Sequence, residues 1–144
     1  MRYTLGIFIS ALLFIYCFLP LPALPEENRV SSSPSVSKPN MVQATMCVQI
    51  KECTAQQKTI LFSVTLGKLF CFTEFDPVYE TTSIYHKWFF RDKLITRRKL
   101  VLKPPHWSTF SSIDLREADK GPWHVEITDQ KGHTLRVLRF SITD

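Results

Sequence analysis

The residues with chemical potential fall into three groups. His86 and His106, with Ser108, Ser111, Ser112 and Asp114, are the side-chain types from which a hydrolase assembles base, nucleophile and orienting acid. Nearness in sequence is not a triad, however, and no G-x-S-x-G elbow is present to expose a serine. Asp76, Glu80, Asp114, Glu117, Asp119 and Glu126 are scattered, and none lies in an apolar run that would raise its pKa for general acid work. Ser111 and Ser112 read instead as turn and strand-end hydrogen-bonding residues. The second group is Cys47, Cys53 and Cys71; with no C-x-x-C and no histidine four residues from another, the spacing offers no metal site. The third group is cationic: between residues 87 and 103 seven basic side chains (Lys87, Arg91, Lys93, Arg97, Arg98, Lys99, Lys103) stand against one acid, Asp92. Tyr85, Lys87, Phe89, Arg91, Arg97, Lys99 and Lys103 are therefore the candidate binding residues, suited to anionic lipid headgroups or acidic glycan. No catalytic residue, metal ligand or cofactor is assigned.

These groups need elements to position them, and the stretch 84–90 is the pivot. Alternation sends Ile84, His86, Trp88 and Phe90 to one face of a strand, and Tyr85, Lys87 and Phe89 to the other. A histidine among three large apolar side chains reads as a hydrogen-bonded core residue. The same alternation puts Lys87 and Arg91 on one face, and Arg97, Lys99, Val101 and Lys103 on one face of the next strand, with the register between the two left open.

Around this pivot short alternating runs predict strands at 44–50, 60–64, 69–75, 82–90, 95–102, 107–111, 123–128 and 135–142. The stretch 111–120 allows one helical turn capped by Ser112 or Asp114, Gly121-Pro122 reads as a turn, and Gly132 supplies the positive φ of a final hairpin. The expected fold is all-β, an immunoglobulin-like β-sandwich of seven or eight strands over residues 43–144. Its expected core is Ile84, His86, Trp88, Phe90, Trp107, Trp123 and Phe140, with Trp88 resembling in role the central tryptophan of such sandwiches.

The first 42 residues are of another character. Leu5 to Leu19 is a run of fifteen uncharged residues, about 22 Å as a helix, and Pro20 and Pro22 interrupt its extension. Residues 1–24 thus form a membrane anchor or signal segment. Ala23 at the −1 position would leave Leu21 at −3, a poor cleavage site, and Tyr16 before Cys17 argues against lipidation; an uncleaved anchor is favoured. Arg2 before the run and Glu26 and Glu27 after it place the rest of the chain outside the cytoplasm. Residues 25–42 form a Ser/Pro-rich flexible linker, too polar to offset the entropy of ordering it. Hydrophobic residues at 44% exclude disorder for the remaining body, while a net charge of +5 and pI near 9.1 favour acidic partners.

From Ala44 to the end the chain resembles the bacterial family labelled domain of unknown function 2914. The landmarks are Cys47, Cys71-Phe72-Thr73, His86-Lys87-Trp88-Phe89-Phe90, Trp107 with Ser111-Ser112, Gly121-Pro122-Trp123-His124-Val125-Glu126, and the Gly132 to Phe140 hairpin, in that order. The resemblance implies a compact β-sandwich, often C-terminal to a membrane segment in bacterial envelope proteins, and implies no reaction. Cys53 departs from the pattern. Export would let disulfides persist. Cys47–Cys71 joins two predicted strands at the two positions shared with the family, and Cys47–Cys53 is the local alternative.

The expected function is a non-catalytic, membrane-tethered binding or structural module of the bacterial cell envelope, single-pass in the inner membrane. Its expected partners are the membrane through the N-terminal segment, and anionic lipid, acidic glycan or an envelope protein docked on an edge strand. Nucleic acid fits the charge but not the export. The alternative is an uncharacterised envelope hydrolase using His86 or His106 with Ser111 or Asp114.

Overall fold

The period-two alternation of the sequence is realised as nine strands in a computed structural model that describes residues 38–144. They are β1 (Met41–Lys51), β2 (Thr54–Lys58), β3 (Leu61–Ser63), β4 (Lys68–Phe75), β5 (Thr82–Phe90), β6 (Lys93–Leu102), β7 (Trp107–Asp114), β8 (Gly121–Asp129) and β9 (Thr134–Thr143). Short 3-10 turns occur at Val64–Leu66 and Glu117–Asp119. The hydrophobic helix expected in residues 1–24, and residues 25–37 of the expected linker, lie outside the described residues. Among the described residues no helix is long and apolar enough to cross a membrane.

The strands form two sheets, ordered β2-β1-β4-β7 and β3-β9-β8-β5-β6. All pairings are antiparallel except β3 with β9. Their inner faces meet in one core in which Met46, Leu69, Cys71 and Phe75 of the first sheet join Ile84, Trp88, Val125, Ile127 and Phe140 of the second. Trp88 has no exposed surface and packs edge-on against Phe140 at 6.1 Å between ring centroids. Trp123 is also buried. Phe90 and Trp107, expected in the core, are only partly buried and close it from the margins.

Several boundaries differ from the sequence expectation. The strand beyond the expected eight is β2, whose only apolar residue is Ala55; it exists because β1 turns back on itself over two residues. β1 begins at Met41, and Asn40 is already tied to Asp76 and Pro77 by backbone hydrogen bonds, so ordered structure starts inside the stretch read as linker. The helical turn lies at Glu117–Asp119 with Arg116 in the cap position, while Ser112 and Asp114 belong to β7. The Asp119 carboxylate does the capping, accepting from the Arg116 backbone N–H and from its guanidinium. Gly121 and Pro122 open β8 rather than forming a turn. The final hairpin forms as read, with Gly132 at φ +90°.

Candidate functional site

Cross-strand register turns the basic stretch into an ordered surface. Opposed residues of antiparallel strands share a face, so the outer face of the five-stranded sheet can be followed in rows from β6 through β5 and β8 to β9. One row is Leu94, Phe89, His124 and Arg139; the next is Arg97, Lys87, Glu126 and Val137; the third is Lys99, Tyr85, Thr128 and Thr134. The cations Lys87, Arg97, Lys99 and Arg139 thus share one face with a single carboxylate, Glu126. The aromatics hold them in place. The Arg97 guanidinium lies 3.7 Å from the centre of the Tyr85 ring, and Phe89 stacks on the His124 imidazole at 4.6 Å with 6° between planes. A guanidinium on a ring face gains about 0.5–1 kcal/mol at an exposed site and stays free to bind an anion at its edge.

Of the candidate binding residues, Tyr85, Lys87, Phe89, Arg97 and Lys99 come together on this face. Arg91 does not join them. It sits with Asp92 in the two-residue β5–β6 turn, at φ +46°, and its guanidinium lies over the Phe90 ring at 5.0 Å. Lys103 follows the end of β6 and lies 5.6 Å from the Trp107 ring. Two members of the face carry no local sequence signal. His124 and Arg139 lie 35 and 50 residues beyond Phe89 in the chain, and only the β5–β8–β9 pairing brings them into its row.

The expectation for His86 turns out to be specific. It has no exposed surface, and its Nδ1 lies 2.9 Å from Ser111 Oγ and its Nε2 3.3 Å from Thr73 Oγ1. Trp88 Nε1 donates to the same Ser111 oxygen at 3.0 Å, and Thr73 Oγ1 donates to the Thr109 carbonyl at 3.4 Å. Burial drives the imidazole pKa down to about 3, which keeps it neutral. His86 and Ser111 therefore meet, but inside the inter-sheet core. The other residues weighed for hydrolysis stand apart: His106 is half-exposed near Glu74 (3.5 Å) and Asp76 (3.7 Å), and Asp114 is exposed and paired with Lys68 at 3.2 Å.

The cysteines correct an expectation. Cys47, Cys53 and Cys71 are free thiols. In the β1–β4 register Cys71 opposes Met46 and Cys47 opposes Phe70, a slip of one residue. One residue of slip sends two side chains to opposite faces. Cys71 joins the inter-sheet core, while Cys47 packs on the other side with Ala55 and Phe72. Burial raises both thiol pKa values, that of Cys47 to about 11. Cys53 is exposed in the β1–β2 turn. Among the described residues no three His, Cys, Asp or Glu side chains cluster as metal ligands would.

Residues 81–142, which include all of β5 to β8 and most of β9, match the family described as Protein of unknown function (DUF2914). No curated protein matches the chain.

Proposed function

We propose that this chain, whose residues 81–142 carry the DUF2914 domain, is a non-catalytic, membrane-tethered binding module of the bacterial cell envelope, held at the inner membrane by residues 1–24 with its domain outside the cytoplasm. The outer face of the five-stranded sheet is the part that binds, and anionic lipid headgroups are its ligand. The observation that carries this reading is the row arrangement: Lys87 directly opposite Arg97, Lys99 opposite Tyr85, Arg139 in the adjoining row, and only Glu126 to oppose them. We read the two-sheet body as immunoglobulin-like in role, a rigid platform pinned by Trp88.

Magnitude supports a tether. Each basic group near an anionic membrane contributes about 1 kcal/mol, so four of them give weak, reversible and salt-sensitive attachment. Linking that face to an N-terminal anchor makes its contact with the bilayer intramolecular, at an effective concentration in the millimolar range. The hydrolase alternative would require the His86–Ser111 pair to act from a position with almost no access to solvent.

The test uses the domain from residue 38 onward with vesicles containing phosphatidylglycerol, at several salt concentrations. Arg97→Glu with Lys99→Glu is expected to weaken association at least about tenfold, and added salt to do the same. Association indifferent to both would refute the proposal, and retention on an acidic glycan without vesicle binding would move it to the wall.

A further inference from the structure

At the His124–Arg139 end of the first row the same sheet is hollowed into a cavity of about 390 Å³. That size suits a small ligand. Pro122, His124 and Ser141 line it, while Trp123 and Phe140 border it only at their margins, since both are buried in the inter-sheet core. Ile60 and Leu61, just before and at the start of β3, form its rim and leave 68% and 62% of their surface in water. Arg91, from the β5–β6 turn, and Arg139, from β9, supply its charge. Among the described residues neither guanidinium takes part in an ion pair, and Asp92 is the one carboxylate on the lining.

We infer that this groove binds a single-chain amphiphile with an anionic head, its chain against Ile60, Leu61 and Pro122 and its phosphate or carboxylate between Arg91 and Arg139. Two large aliphatic side chains held in water gain by covering, and two guanidiniums without carboxylate partners offer charge-assisted, bidentate hydrogen bonds to the head. The flat basic face lacks this combination: it offers charge without an aliphatic recess. The inference deepens the lipid-headgroup reading but rests on it only for where the amphiphile comes from.

The test is photo-crosslinking of the full chain in phosphatidylcholine nanodiscs with decyl phosphate bearing a diazirine at the chain end, followed by peptide mapping. Adducts are expected on the segments holding Ile60–Leu61 or Pro122. Octyl phosphate should compete for labelling, each methylene removed weakening it roughly three- to fourfold, whereas octanol should compete poorly. Arg139→Glu, an exposed strand position, should abolish labelling. Ile60→Asp, at the open rim, should do so independently of any effect of the arginine change on folding. Arg97→Glu with Lys99→Glu should leave labelling intact, so failure on the flat face and failure in the groove are told apart. Lysophosphatidylglycerol in the disc would compete if the bilayer is the source; competition from soluble octyl phosphate alone would mark a free amphiphile. Adducts scattered over the surface, equal competition by octanol, or labelling untouched by both Arg139→Glu and Ile60→Asp would overturn the inference.

Discussion

His86 shows how one polar side chain can be afforded at the centre of a sandwich. Trp88 Nε1 can only donate, so Ser111 Oγ accepts from it at 3.0 Å and turns its own hydrogen toward His86 Nδ1 at 2.9 Å. The imidazole then carries its hydrogen on Nε2, donates it to Thr73 Oγ1 at 3.3 Å, and Thr73 donates onward to the Thr109 carbonyl. The other tautomer would use up Thr73's hydrogen on Nε2 and leave that carbonyl without it, so the network assigns the Nε2–H form. Ser111→Ala would strand both the Trp88 N–H and His86 Nδ1, and unfolding in urea should show a loss of about 2–4 kcal/mol. The same burial makes stability depend on pH. With the folded imidazole pKa near 3 against an ordinary 6.5, the unfolded chain takes up a proton that the folded one refuses. Stability from this group is therefore complete above pH 6.5 and is lost as pH falls toward 3, at up to about 1.4 kcal/mol per pH unit. Unfolding free energies at pH 7.5, 6 and 5 should trace that slope, and His86→Gln should flatten it by one proton's worth. The inward placement of His86 was legible from Ile84, Trp88 and Phe90 around it. Its partners were not, because Thr73 and Ser111 belong to the facing sheet, and nothing local indicates which residues two sheets set against each other.

At the scale of elements, what the sequence hides is register. Strand runs are visible as alternation, but β1 against β4 could slip by one residue without changing either pattern, and that one residue separates a bridged from an unbridged Cys47–Cys71 pair. With free thiols on opposite faces, native alkylation mapped by peptide should mark Cys53 at once and Cys47 and Cys71 only after unfolding; equal resistance of Cys47 and Cys71 in denaturant without reductant would instead indicate a bridge. Turn chemistry misleads in a related way. Both two-residue hairpin loops, Glu52-Cys53 and Arg91-Asp92, take positive φ at both positions without a glycine. Primed turns demand that backbone, and ordinary L residues adopt it at a cost of about 1 kcal/mol or more. Such loops give no glycine signal, which is one reason β2 is not legible as a strand; the other is its polar sequence, Thr-Ala-Gln-Gln-Lys. Cys53→Gly should relax the first hairpin and raise the urea midpoint, by about 0.5–1 kcal/mol in stability.

At the scale of the whole molecule, the position of the cations raises the question of what they prevent as well as what they bind. β6 is the terminal strand of its sheet, pairs only with β5, and runs from Lys93 to Leu102. Leu94, Ile95 and Val101 on it are nearly half exposed, at 48%, 44% and 46%. A long apolar edge of this kind is a template for pairing with another chain. Two devices oppose that. The β5 pairing steps from Trp88↔Thr96 to Phe89↔Leu94, which leaves Ile95 as an extra residue that bends the edge. Arg97, Arg98 and Lys99 then stand consecutively in its middle. Alternation divides their duties, because Arg97 and Lys99 face outward with the binding rows whereas Arg98, opposite His86, faces the other side and lines a second recess with Asp114 and Asp119. Arg98 can thus guard the edge without belonging to the proposed membrane face. Arg98→Val should therefore raise concentration-dependent self-association, measured by light scattering on a sizing column, while leaving vesicle binding unchanged. Adding Lys99→Thr should deepen the first effect and weaken binding as well. If Arg98→Val elutes as the unmodified chain does at every concentration, the bulge at Ile95 is enough to close the edge, and Arg98 has no protective part in it.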